Sequence, residues 1–241
     1  MTAILALVAI LILVVVAGLG SQVAGLQVVF GVVVPYAAIV LFVGGLVTKV
    51  IRWARTPVPF RIPTTCGQQR TLDWIPSSRL DNPSGTWGVI GRMALEVLFF
   101  RSLFRNTRVD IREGGRILHT PNKWLWAAGL AFHYSFLVIF LRHLRFFTEP
   151  VPGFVNALQA VDGFFEIGVP SIFLTSFLLL GALGFLLLRR LVSPQLRYIS
   201  LANDYFPLFL LLAIGLTGVL MRHFQKTDIE TVKAMAMGRP V

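Results

Sequence analysis

Three of the four histidines in this 241-residue chain stand in or beside strongly apolar runs. Imidazole is costly to hold in hydrocarbon, so a histidine within a membrane span is a functional candidate by default. His133 and His143 share the run Trp124–Phe147, ten residues apart. Ten residues of α-helix rise about 15 Å and turn about 1000°, which leaves the two rings about 80° apart at two depths. That geometry suits two stacked haem groups, each taking one axial imidazole from the same helix. Gly129 and Ala131 offer small neighbours just before His133. A single histidine hydrogen-bonded to another helix, with His143 at the interface, is the plainer alternative. No carboxylate accompanies the pair, which argues against a dinuclear metal site. His223 closes a later apolar run beside Arg222; it could share a haem with His143, flank a quinone headgroup, or serve as an interfacial anchor. His119, beside Thr120-Pro121 in a polar stretch, reads as ordinary.

The single cysteine, Cys66, narrows the chemistry further. One thiol cannot form an internal disulfide, a CxxC pair, a cysteine-ligated iron–sulfur cluster or a CxxCH haem attachment.

These residues need elements that cross a bilayer. The chain is 56% hydrophobic and 14% charged with a mean hydropathy of +0.75, which excludes disorder and a collagen-like fibre and points away from a water-soluble globule. Five runs suit a hydrocarbon core of about 30 Å: Ala3–Leu19, Val28–Val50, Trp124–Phe147, Ile167–Leu188 and Tyr205–Met221. The first lacks a positive n-region and outruns a usual signal core, so it reads as a retained helix. The formal charge of +11 does not point to nucleic acid, because the basic residues fall between apolar runs. Thirteen Lys and Arg lie from Lys49 to Lys123 and three from Arg189 to Arg197, against six at the opposite ends. The positive-inside rule then places both basic connections and the N-terminus in the cytoplasm. His143 and His223 fall at the same outer depth.

The stretch 52–122 is too polar to span. It opens with Pro57, Pro59 and Pro63 among Arg52, Arg55 and Arg61. Asp81-Asn82-Pro83-Ser84-Gly85 turns into an apolar segment, Trp87–Phe104, that carries Arg92, Glu96, Arg101 and Arg105. Four charges on so apolar a segment predict a helix lying in the membrane interface. The basic residues are either a solvated face kept inside by their charge or a docking surface for a cytoplasmic partner.

Gly-Leu-Ala-Phe-His133, His143 and then Phe147-Thr-Glu-Pro150 resemble the haem-bearing helix of the respiratory nitrate reductase gamma subunit family. Leu186-Leu-Leu-Arg189-Arg190-Leu-Val-Ser193-Pro194 and Ala202-Asn-Asp204 resemble its next part. Asn203-Asp204-Tyr-Phe-Pro207, Gly218 and Met-Arg-His-Phe-Gln-Lys-Thr-Asp228 are similar to the DsrM family, the membrane cytochrome b subunits of the sulfite-reduction-associated Dsr complex. The likeness covers about 120–235. It implies an all-α integral membrane protein, about five transmembrane helices in a cytochrome b bundle of the gamma-subunit type. The corresponding organisation is two spans in 1–51, a cytoplasmic loop with an interfacial helix in 52–122, a three-helix haem-binding region in 123–224 and an outer-side tail in 225–241.

The resemblance further implies a multi-pass protein of the cytoplasmic membrane that holds haem b through His133 and His143. It would exchange electrons between menaquinone or ubiquinone and a cytoplasmic iron–sulfur subunit, DsrK-like and related to heterodisulfide reductase, in dissimilatory sulfur metabolism. Other membrane and periplasmic Dsr subunits would complete the complex. Quinol would bind near His143 and His223 and release protons outside, with Glu166 a candidate acceptor and Asp162 nearby, unless both are simply solvated. The family draws its other axial ligands from a further two-histidine helix, and none follows before Val241. Truncation is the preferred expectation, beside a helix from another chain or a single haem between His143 and His223. The alternative function is a cofactor-free membrane scaffold or anchor subunit; a transporter is disfavoured by the lack of paired broken helices.

Overall fold

A computed structural model describes residues 2–23, 25–57, 74, 78, 80–81, 83–111, 114, 117–165 and 171–239. In chain order the helices begin with α1 (Thr2–Gln22), then a five-residue π-helical segment, Val29–Val33, that runs into α2 (Val34–Arg55). There follow α3 (Thr86–Phe99), α4 (Arg101–Phe104) and an antiparallel ribbon of β1 (Thr107–Ile111) and β2 (Ile117–Pro121). The chain continues through α5 (Lys123–His143) with a 3-10 turn at Leu144–Phe146, α6 (Gly153–Asp162), and a second ribbon of β3 (Gly163–Phe165) and β4 (Ile172–Phe173). It ends with α7 (Leu174–Val192), α8 (Pro194–Ile199), α9 (Ala202–His223) and α10 (Ile229–Ala236).

Among the described residues five helical stretches are long and apolar enough to cross a membrane: Thr2–Gln22, Val29–Arg55, Lys123–Phe146, Leu174–Val192 and Ala202–His223. Helix is the form such runs must take, since hydrocarbon offers no partner for an open backbone N–H or C=O. Arg52 and Arg55 close α2, and Arg189 and Arg190 close α7, where cations complement the helix dipole.

The chain forms two compact units, Met1–Lys49 with Ala131–Val241, and Val50–Leu130. In the first, Thr2 lies beside Ser200, with its hydroxyl donating to the Ser200 carbonyl at 3.5 Å. At that same end Arg190 donates to Ser200 Oγ at 2.8 Å and pairs with Asp204 at 3.7 Å. The Leu201 N–H donates to Asp204 Oδ2 at 2.8 Å, which caps α9, and Tyr205 is buried beneath. At the other end α10 gathers several elements. The Tyr36 hydroxyl donates to the Ala236 carbonyl, while Glu149 pairs with Arg239 at 2.8 Å and with Lys233 at 3.9 Å. Thus α1, the histidine end of α5 and α9 run one way, and α2 and α7 the other. Helices α7 and α9 pack closely at Gly215, where an added Cβ would lie 2.9 Å from Leu180 Cδ2.

In the second unit the helix expected over Trp87–Phe104 is not continuous. It is broken at Phe100, whose backbone takes a left-handed φ of 49° and separates α3 from α4. The carboxylate of Glu96 accepts the Ser102 N–H at 2.9 Å, starting the short second helix. The β1–β2 ribbon stands where a loop is expected, with His119 opposite Val109.

The fourth span also differs from expectation. Ile167 lies outside the described residues, and the helix begins at Leu174 because Ile172–Phe173 is an extended strand paired with β3.

Candidate functional site

The face of α5 that carries the two histidines is its exposed one. His133, Phe136, Leu137, Phe140, His143 and Phe147 follow one another along it at helical spacing and are all exposed. The opposite side carries buried Ser135, whose hydroxyl returns to the Ala131 carbonyl at 2.6 Å, and half-buried Val138 and Arg142. The predicted 80° offset therefore leaves both rings on one broad stripe. His143 Nδ1 lies 2.7 Å from the Ile139 carbonyl oxygen. A carbonyl can only accept, so Nδ1 carries the proton and Nε2 keeps its lone pair for a ligand. The His133 ring sits edge-on to Phe132 at 4.8 Å between centroids.

The far end of this helix is anchored by charge. Arg142, next to His143, forms an ion pair with Asp162 at the end of α6. The Asp162 side chain is only 4% exposed. Its Oδ1 accepts the Thr175 N–H at 2.9 Å and its Oδ2 the Thr175 hydroxyl at 2.6 Å, so it caps α7 from another helix. Arg142 also lies over the Phe173 ring, 3.6 Å from its centroid, and Arg222 lies over the same ring at 4.3 Å. Arg222 donates to the Ser171 carbonyl through Nε at 3.3 Å and Nη2 at 3.1 Å. The sequence neighbours of His143 and His223 thus meet at one turn, and the two histidine-bearing helix ends with them. His223 is half-buried and closes α9; among the described residues its ring makes no hydrogen bond.

Residues 86–238 match the nitrate reductase gamma subunit family, well over half the chain. The chain belongs to that family. It is also 42% identical over 213 residues to a protein of Archaeoglobus fulgidus named Hdr-like menaquinol oxidoreductase cytochrome b-like subunit, with 87% of this chain aligned. A protein of the same name from Archaeoglobus profundus is 41% identical over 207 residues, 84% of this chain. The chain spans 63% and 61% of the lengths of these relatives. No solved structure matches. Family membership and five apolar helices together make this a multi-pass membrane protein.

The haem that membership of the gamma-subunit family implies fits the donors on α5: an imidazole with a fixed tautomer, on an apolar and aromatic face that no described helix fills. Among the described residues no three His, Cys, Asp or Glu side chains gather into a metal cage of their own. Two details depart from expectation. The space beside Gly129 is taken by Leu103, whose Cδ2 would lie 3.2 Å from an added Cβ, so this glycine serves helix packing. Asp162 is buried and ion-paired rather than solvated. Glu166 lies outside the described residues. No sequence period points to the Arg142–Asp162–Phe173–Arg222 cluster, and its visible sign is an arginine beside each of two histidines in apolar runs.

Proposed function

We propose that this chain is the haem-bearing membrane subunit of an Hdr-like menaquinol oxidoreductase. His133 and His143 would be axial ligands, and the helix ends that carry His143 and His223 would form the quinol site. The observation that carries the reading is the exposed α5 stripe with His143 Nδ1 tied to the Ile139 carbonyl. A bound b-type haem supplies one-electron redox chemistry that side chains alone do not.

The residues of the chain have narrower tasks. The Ile139 carbonyl holds the Nδ1 proton of His143, which fixes the tautomer and makes Nε2 a better donor. The Arg142–Asp162 pair fixes the end of α5, and with it the depth of His143. The half-buried His223 accepts a quinol hydroxyl proton at a ring nitrogen, with Glu166 a second candidate acceptor. Asp162 is fully engaged and takes no part in proton transfer. The N-terminus lies in the cytoplasm, as does the basic 52–122 segment, which faces an iron–sulfur subunit of the DsrK-like, heterodisulfide-reductase-related kind. The DsrM-like motif from Asn203 to Asp228 favours a place in dissimilatory sulfur metabolism, with further Dsr-type subunits as partners.

A reduced-minus-oxidised visible spectrum with a pyridine haemochrome count tests the reading on the purified membrane complex. We expect b-type haem, and its loss from one site in His143→Ala and from the other in His133→Ala. A folded, haem-supplied preparation without haem would turn the assignment to a cofactor-free anchor subunit.

A further inference from the structure

We infer that α3 is a bilayer-contact helix, lying at the membrane surface with its apolar side in the lipid headgroup boundary and its charged side turned toward its own unit. Haem occupancy plays no part in it. Along α3 the usual polarity is inverted: after Thr86 at its start, the exposed residues Trp87, Ile90, Met93, Ala94, Val97, Leu98 and Phe99 are all apolar. Trp87 is 84% exposed. The half-buried side holds the charges. In water this pattern is backwards, since an amphipathic helix turns its apolar stripe to the core. At a membrane surface it is the expected arrangement.

Within the unit these charges find partners, while among the described residues Arg92 Nε and Glu96 Oε1 are buried without a hydrogen bond. Arg92 donates to the carbonyls of Leu80 at 3.2 Å and Asp81 at 2.7 Å, and lies 3.6 Å from Glu96. Arg101 and Arg105 each reach Asp81 Oδ1 at 2.7 Å. Arg92 and Arg101 are held inward, with side chains 15% and 16% exposed, and the exposed Arg105 lies beyond α3, so the outward stripe of α3 carries no charge.

Depth comes from the first turns of α5. Trp126 Nε1 donates to the Phe99 carbonyl at 2.7 Å. Lys123 Nζ donates to the Phe104 carbonyl at 2.9 Å and sits 3.2 Å above the Phe104 ring. Phe104 meets Trp126 edge-on at 5.0 Å, and Leu103 fills the space beside Gly129. Lys123 is the first residue of a span, and Gly129 is about 9 Å further along it. The α3–α4 junction is therefore fastened within the first two turns of a membrane-crossing helix, at the depth of headgroups and outermost acyl carbons. Trp124, 77% exposed at that same level, matches the aromatic belt of a membrane boundary.

Nitroxide accessibility of the full chain in phosphatidylcholine–phosphatidylglycerol nanodiscs tests this. Single cysteines would be placed in a Cys66→Ser background at Trp87→Cys, Ile90→Cys and Val97→Cys, with Gly91→Cys as the inward control. We expect oxygen to relax the three outward labels several-fold more strongly than a water-soluble nickel chelate does, and the control to be shielded from both. Outward labels equally open to nickel, or shielded from both reagents as under a protein partner, would overturn the inference. A second measurement avoids labelling. Lipids brominated near the glycerol end should quench tryptophan fluorescence in the unaltered chain, and Trp87→Phe should remove a distinct share of that quenching. An unchanged quenched share would also overturn it.

Discussion

Two aspartates, each surrounded by arginine, divide the chemistry of this molecule between them. Asp81 stands in the unit Val50–Leu130, with its side chain 41% exposed and Arg92, Arg101 and Arg105 around it. Asp162 stands in the other unit, 4% exposed, with one arginine and the amide and hydroxyl of Thr175. More partners do not make the stronger site. Exposed ion pairs are screened by water and contribute little each, whereas a buried carboxylate is costly to leave without its partner. The charges at Asp81 fasten α3 and α4 to the turn before them, and those at Asp162 join the ends of α5, α6 and α7 beside His143.

If that contrast is right, the largest effect belongs to Asp162. Asp162→Ala strands Arg142 and removes the cap of α7, with an expected loss of about 3–5 kcal/mol in detergent unfolding. Asp162→Asn keeps an acceptor for Thr175 and should recover part of it. A loss no greater than that of an exposed substitution would erase the distinction. Next comes Arg222→Gln, which gives up charged hydrogen bonds to Ser171 and should cost about 1.5–3 kcal/mol. In the haem-bearing complex both variants should also shift the spectral signature assigned to His143 more than that of His133. Asp81→Asn should be milder, with faster amide exchange in α3 and α4 and no change at α7.

Acid sharpens the comparison with the smallest perturbation. Hydrogen bonding by Arg101, ahead of the pull of Arg105, holds the Asp81 carboxyl at about 2, below its ordinary 3.8. A depressed carboxylate stabilises the fold above its unfolded value, and that contribution is lost as protons bind the folded form. Amide protection in α3 should therefore fall between about pH 4 and pH 2, and Asp81→Asn should flatten the profile. An unchanged profile in the variant would remove Asp81 from the helix's support.

Much of this was legible along the chain, for reasons of solvent. Hydrocarbon demands long apolar helices, so five spans could be read from their runs, and the spacing of His133 and His143 on a 3.6-residue helix predicted one shared broad face. Local composition does not reveal where a span yields to a strand, so the apolar run from Ile167 reads as helix although the helix begins at Leu174. Nor does Gly129 declare whether its missing side chain makes room for a ligand or for Leu103.

Periodicity and hydropathy are properties of neighbours in sequence, and they determined the spans and the histidine face, while ordered motifs pointed to the gamma-subunit family. Contacts between residues far apart in the chain obey no such period. Only the tertiary structure decided that Asp162 would cap α7 across 13 residues, and that Arg142 and Arg222 would meet over Phe173. It alone turned the charged side of α3 inward, where Arg92 donates to the carbonyls of Leu80 and Asp81 and lies beside Glu96, contacts that no sequence period announces.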